Sequence, residues 1–454
     1  MHARLVACGG KGASVRRLGG DRAGEMRISR FLHNRRVTAR EIVQTAAART
    51  CAQVSGRHVL AIQDTTSVRV DERGHGLSAH PLIAVDAVSG FTLGLVDLIY
   101  LDRREAERAP HKERAFADKE SRRWLDGAQS AARLREAGAA CVTVVEDREG
   151  DIYECFAFRP AGVEKLVRAS QDRLLANGAR LFAAADAWPE AGRMTIELPA
   201  IPGRKARQAV VALRFGAVVV SRPKNGKGRE TLPESLELNL VEAREIDPPE
   251  GEAPAHWRLL TTHGVNDAAD ARRIVGFYRL RWTIEQLFRT TKTKGFDIES
   301  LRQQEGGPLE KLVAATIVAA VTVMQLVAER DGQLRRPLEP RLRPRRSAGP
   351  RTRLLEPRRQ DRKAEESASQ RVARLRFLGL RAPRRLDRIL WKTGSHRHAP
   401  RPHRIPRHQA RLEPPRCVNR VAPGAGVLTL PTIACPPSAT WTCWTVIFCS
   451  PFDR

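Results

Sequence analysis

Aromatic side chains make up only 5% of this 454-residue chain, although its hydrophobic share of 42% is ample for a sizeable core. Uninterrupted apolar runs of the ~18 residues or more that a spanning helix needs are missing, so no membrane partner is expected. The opening MHARLVACGGKGASVRRLGG has no apolar stretch ahead of its basic residues, so no secretory signal is expected either. The eight cysteines are Cys8, Cys51, Cys141, Cys155, Cys417, Cys435, Cys443 and Cys449, and no two are spaced C-x2-C. That spacing is the mark of structural zinc, so metal chemistry through sulfur is not expected. Without a secretion signal the thiols read as reduced and the protein as cytoplasmic. Acidic residues are also short, at 51 against 79 Lys plus Arg, giving +28 and a pI near 11.0. A charge of that size favours polyanions, above all nucleic acid, over small acidic metabolites.

The charge is unevenly distributed. From residue 331 onward there are 28 basic against nine acidic residues, a net +19, which leaves +9 on the first 330. The same tail, 331–454, holds 16 of the 28 prolines and loses apolar periodicity. Two readings compete for it. One is an irregular basic arm that holds DNA electrostatically. The other is a GC-rich reading frame shifted near residues 331–345, which yields Arg, Pro, Ala and Gly with little Lys.

Ahead of the tail the grammar is that of an α/β protein. Residues 1–19 are Gly- and Arg-rich and read as disordered, and 20–56 read as a region of short amphipathic helices. In the second of these, Thr38 followed by Glu41 is a capping-box signature. HVLAIQDTTSV (58–68), PLIAVDAV (81–88) and FTLGLVDLIYL (91–101) read as strands. A charged helix is expected over 112–137, and then CVTVVEDREG (141–150) as a central strand buried on both faces. LFAAADAW (181–188) is taken as a further strand. The segment 193–263 is strand-rich and punctuated by Pro and Gly, and long helices return over 267–294 and 308–330. The expected architecture is an α/β domain, 57–192 with 264–330, interrupted by a β-rich insertion at 193–263.

Asp64 closes the first strand and Asp147 closes the run VTVVED. Alone, each is also what an ordinary strand end looks like. If the two strands are neighbours, both carboxylates emerge at one sheet edge. In FYRLRWTIEQLFRTTKTKG, Tyr278, Arg281, Glu285 and Lys292 fall within about a 60° arc of an ideal helix. Phe277, Leu280, Ile284, Leu287 and Phe288 form a separate apolar stripe. The polar stripe can face a ligand, or Arg281 and Glu285 can be a surface pair worth ~0.3–0.5 kcal/mol. Three converging carboxylates repel unless a cation neutralises them, and oxygen-only ligation selects a hard ion such as Mg²⁺ or Mn²⁺. Two such ions ~3.5–4 Å apart clamp the attacking and leaving oxygens of a phosphoryl transfer. Arg281 and Lys292 would then hold phosphates.

These residues resemble a known family, the DDE transposases of bacterial insertion sequences, in the insertion-sequence-four-type group. Its Y-(2)-R-(3)-E-(6)-K motif is complete as Tyr278, Arg281, Glu285 and Lys292. IQDTTS with Asp64 matches the first acidic block and DREGDIYE, beginning at Asp147, the second. The similarity runs from about Gly20 to Arg330, with SRFLHNRRVTAREI resembling the family's N-terminal DNA-binding helices. The resemblance implies a ribonuclease-H-like fold, and Asp64, Asp147 and Glu285 as the metal-binding catalytic triad, with Mg²⁺ as the ion and Mn²⁺ as a substitute. It also implies nicking at transposon ends, through a DNA hairpin in the closest relatives, strand transfer into target double-stranded DNA, and a homodimer. Tyr278, Arg281 and Lys292 would contact DNA, and Trp257 matches a tryptophan that the family stacks on a flipped base, a contact worth ~1–3 kcal/mol. Trp257 can equally be a core aromatic.

Trp282 is expected to pack, and His75 and His80, placed in a polar loop, are given no role. Arg148 and Glu149 read as solvating the turn. LFAAADAW lacks the basic DNA-contacting residues expected there, and no dimerisation domain is recognisable in the tail. A catalytically inactive DNA-binding remnant is therefore the alternative reading. An ordinary ribonuclease-H-like nuclease ranks third, because it leaves the Tyr278-to-Lys292 stripe and the β-rich segment without a purpose.

Overall fold

The computed structural model describes residues 1–10, 12–70, 76–102, 114–198, 206–292, 295–301 and 306–331. Everything expected of the tail beyond Asp331, and of His75, lies outside the described residues.

The first 19 residues, expected to be disordered, carry α1 (His2–Ala7) and α2 (Val15–Gly19). Leu5 and Leu18 anchor them in the core, and the Ala13 N–H donates to the Phe296 carbonyl at 2.7 Å. Two anchoring leucines in a polar segment leave no periodic signal. What orders the segment is a partner some 300 residues away in sequence. In α3 (Arg22–His33) the Asp21 carboxylate caps the Gly24 N–H at 2.6 Å. The expected capping box opens α4 (Ala39–Cys51): Thr38 Oγ1 accepts the Glu41 N–H at 3.1 Å, and the Glu41 carboxylate accepts the Thr38 N–H at 2.7 Å.

The strands are β1 (His58–Gln63), β2 (Thr66–Val70), β3 (Gly76–Asp86) and β4 (Thr92–Asp102), followed by α5 (Arg123–Glu136). Then come β5 (Cys141–Glu146), the short α6 (Tyr153–Ala157), β6 (Val163–Arg168) and α7 (Leu181–Ala187). LFAAADAW is thus a helix and not a strand. Four alanines favour helix, and the run has no period-2 alternation. After these follow β7 (Gly192–Leu198), β8 (Arg207–Ser221), β9 (Ser235–Glu245) and β10 (His256–Thr261), then α8 (Ala268–Leu280), α9 (Trp282–Thr291) and α10 (Gly307–Arg330).

All ten strands form one mixed sheet in the order β2-β3-β1-β5-β6-β10-β9-β8-β7, with β4 paired to β3. β1, β5 and β6 are parallel, and the other pairings are antiparallel. The β-rich segment is therefore continuous with the central sheet, because β10 pairs with β6 from Leu259↔Arg168 to Thr261↔Leu166. β6 left an unpaired edge, and β10 satisfies its backbone groups.

Alternation along the parallel strands sorts their side chains onto two faces. Val59, Ala61, Val142 and Val144 pack under α5 with Ala128, Ala131 and Leu134. Leu60, Ile62, Val145 and Leu166 pack with Phe277, Ile284, Leu287 and Leu312 from α8, α9 and α10. By length and composition alone α10 could cross a membrane, which the sequence reading did not anticipate, but 61% of its most apolar window is buried within the molecule.

Candidate functional site

The parallel pairing of β1 with β5 runs from His58↔Cys141 to Ile62↔Val145. Carried two residues further, the same register sets Asp64 opposite Asp147. Adjacent strands lie ~4.8 Å apart, so the two carboxylates leave the same sheet edge side by side. By alternation both belong to the face of Leu60, Ile62 and Val145, the one that α8 and α9 cover. The Thr65 N–H donates to Asp64 Oδ1 at 2.7 Å. Asp147 caps the turn Arg148–Gly150, accepting the Glu149 N–H at 2.9 Å. That turn needs Gly150, since a Cβ there would overlap the Glu146 carboxylate.

The motif from Tyr278 to Lys292 does not lie on one helix. Arg281 ends α8 and starts α9, Glu285 sits in the first turn of α9, and Lys292 caps its end in an extended conformation. Nor is the polar stripe open to a ligand along its length, because Tyr278 and Arg281 are buried. Arg281 Nη1 lies 2.8 Å from Asp64 Oδ2, and its Nη2 lies 3.6 Å from Glu285 Oε1. One guanidinium thus joins the strand acid to the helix acid. The surface pair weighed from sequence becomes a bridge from a buried arginine to a half-exposed Glu285.

Charge accounts for the arrangement. Burial pushes the Asp64 carboxyl up to about 7; Arg281 opposes that rise, while Asp147 and Glu285 add to it by repulsion. Burial would lower Arg281, but Tyr278, Asp64, Glu285 and Asp147 together hold it above its ordinary value. Burial likewise raises Tyr278, against the pull of Arg281 and Arg168. Asp64 therefore feels the charge of both other acids. The three do not close to within 4.8 Å as a set, since among the described residues a different trio meets that spacing. Oxygen-only donors are what a hard divalent ion takes, so Asp64, Asp147 and Glu285 are the residues that would hold one.

The expected DNA contacts divide. Trp257 on β10 is half-buried, its ring 5.5 Å from that of Tyr278 at 66°, so it borders the cluster. Lys292 is engaged by Glu299 at 2.9 Å and lies 3.4 Å from Ser67 Oγ. Trp282, expected to pack, is half-buried with the Arg281 guanidinium 5.0 Å from its ring centre.

Sequence reasoning missed the polar chain beneath the aspartates. Gln63 and Glu146 immediately precede Asp64 and Asp147 and are fully buried on the other face. Gln63 Nε2 donates to Glu146 at 2.6 Å, and Glu146 also pairs with buried Lys165 of β6. The chain continues from Gln63 Oε1 to His80 Nε2 at 3.0 Å, and from His80 Nδ1 to Thr65 Oγ1 at 2.8 Å. Arg123 Nε donates to that same hydroxyl at 3.0 Å, and its Nη2 reaches Glu149 at 2.7 Å. His80, read as a loop residue, is thus a buried member of β3, and Glu149 pairs rather than merely solvating its turn. The available signal was a Gln and a Glu in otherwise apolar strands, one place before each aspartate.

Residues 207–319 match the family model of the transposase DDE domain. The match spans β8 to most of α10 and takes in Glu285 and the whole Tyr278-to-Lys292 motif, while both aspartates lie N-terminal to it. It supports a transposase function, in a family of DNA-cleaving enzymes that generally use divalent metals.

Proposed function

We propose that this protein is a DDE transposase of the insertion-sequence-four type, with a ribonuclease-H-like core, that nicks DNA at transposon ends and joins the freed 3′-hydroxyl to target DNA. The observation that supports the reading is the β1–β5 register, which, carried two residues beyond Ile62↔Val145, would bring Asp64 beside Asp147 on the side where α9 carries Glu285. These three would hold Mg²⁺, with Mn²⁺ able to substitute. Such ions lower the pKa of an attacking water and stabilise charge on the phosphoryl group.

The chain's own residues do the rest. Arg281 keeps Asp64 and Glu285 from repelling one another, and its fork geometry suits a phosphate equally well. Buried Tyr278 supports Arg281 and packs in a T-shaped contact with Trp257, which would receive a base outside the duplex. Lys292 can exchange Glu299 for a strand phosphate. The hydrogen-bonded chain from Lys165 to Arg123 holds the strand ends on which both aspartates stand. The homodimer and the bacterial cytosol belong to the same proposal.

An Mn²⁺-supported plasmid-nicking assay tests it. Asp64→Asn, Asp147→Asn and Glu285→Gln should each reduce nicking at least ~10³-fold, the equivalent of ~4 kcal/mol of transition-state stabilisation. DNA binding without cleavage in parent and variants alike would instead establish the alternative, an inactive DNA-binding remnant. Terminal inverted repeats flanking the gene would support its origin, and translating the other two frames beyond residue 331 tests the frameshift.

A further inference from the structure

At the opposite edge of the same parallel strands, three metal-binding side chains converge. His58 and Cys141 open β1 and β5 as register partners, so they leave the sheet side by side. Thr143 shares their face, and its register partner Glu164 extends the row onto β6. β10 runs antiparallel to β6 and so ends at this edge, with His263 two residues beyond it. One ligand atom from each of His58, Cys141 and His263 lies within 4.8 Å of the other two. Both imidazoles pack on Phe277 of α8, with ring centres 4.7 and 6.1 Å away.

We propose that His58, Cys141 and His263 form a binding site for zinc or a zinc-like transition-metal ion, separate from the carboxylate cluster. One thiolate and two imidazoles are donors that zinc takes and magnesium does not. An ion central to a triangle of that size stands about 2.8 Å or less from each atom, within roughly 0.5 Å of zinc's bond length to sulfur and roughly 0.8 Å of that to nitrogen. Small side-chain rotations close that gap. Water or the Thr143 hydroxyl can supply a fourth ligand.

The Thr143 hydroxyl joins the two rings, 2.8 Å from the Nε2 of each. A hydroxyl has one proton, so it donates to one ring and accepts from the other. Burial holds both histidines neutral, His58 at about 4 and His263 below its ordinary value, which leaves a lone pair for a metal. Burial raises the Cys141 thiol, so the ion must displace one proton to solution as the sulfur binds. The Glu164 carboxylate favours a cation here and Arg273 opposes one. A bound ion would link β1, β5 and the segment after β10 beneath α8, the helix that leads to Arg281.

The test uses the full chain, stripped of metal and titrated with Co²⁺. One equivalent should produce a thiolate-to-cobalt charge-transfer band in the near ultraviolet. Cys141→Ser should abolish the band. His58→Asn and His263→Asn should each weaken cobalt binding by more than the ~10–100-fold that loss of an outer-shell partner costs. Asp64→Asn should leave the band intact, as should joint replacement of Cys417, Cys435, Cys443 and Cys449 by serine. No band in the parent, or a band surviving in Cys141→Ser, overturns the site and leaves a hydrogen-bonded cluster only. If circular dichroism shows Cys141→Ser unfolded, His263→Asn decides by the same readout. Nicking is scored separately, so failure of this site and failure of the transposase reading remain distinguishable.

Discussion

Arg281 shows how much one side chain can settle. Its guanidinium touches Asp64 and Glu285 at once, from a position where two helices meet. A lysine there would keep the charge and lose the two-pronged contact. His80 is the second informative residue. Burial, helped by Arg123, depresses its folded-state value to about 3, against the ordinary 6.5. Below pH 6.5 the unfolded chain therefore binds a proton at His80 that the folded chain does not. Stability from this group is complete above pH 6.5 and is lost progressively toward pH 3. Between pH 7 and 5 the loss should be about 2 kcal/mol. His80→Gln should flatten that part of the profile, as read from urea midpoints at the two values; an unchanged slope would contradict the buried neutral imidazole.

At the scale of elements, the Glu146–Lys165 pair couples β5 to β6 inside the sheet's covered region. Both partners are buried, and Gln63 shares the Glu146 carboxylate. Removing one partner strands a charge away from water. Glu146→Leu or Lys165→Met alone should cost about 3–5 kcal/mol, whereas the double variant should recover most of it. Denaturant midpoints for the three variants would check this. Equal losses in the singles and the double would mean that the chain of hydrogen bonds, not the ion pair, holds the strand ends.

Over the whole molecule, charge is divided between a described body and a basic tail. Residues 331–454 carry +19 of the net +28. Each phosphate neutralised adds ~0.9 to the slope of log affinity against log salt. A chain ended at Arg330 should therefore bind plasmid DNA more weakly at low salt, and with a shallower slope, than the full chain. Filter or fluorescence binding across a salt series measures both. Identical slopes would remove the tail from DNA binding.

What the sequence determined by itself were the features carried by near neighbours along the chain. The Thr38–Glu41 cap and the β-branched run ending at Asp147 each report local geometry. The three acids of the proposed site were legible as a set only when taken together and through the family resemblance, since each alone reads as an ordinary strand end or surface pair. Tertiary structure alone decided which strands pair and what each buries. It joined β10 to β6, so that the β-rich segment became part of the main sheet, and it ordered the first helices through Leu5 and Leu18. It broke the motif's helix at Arg281, turned that residue onto Asp64, and gathered His58, Cys141 and His263 from three separate segments. Those outcomes depend on register and on contacts between residues far apart in sequence, for which spacing along the chain carries no record.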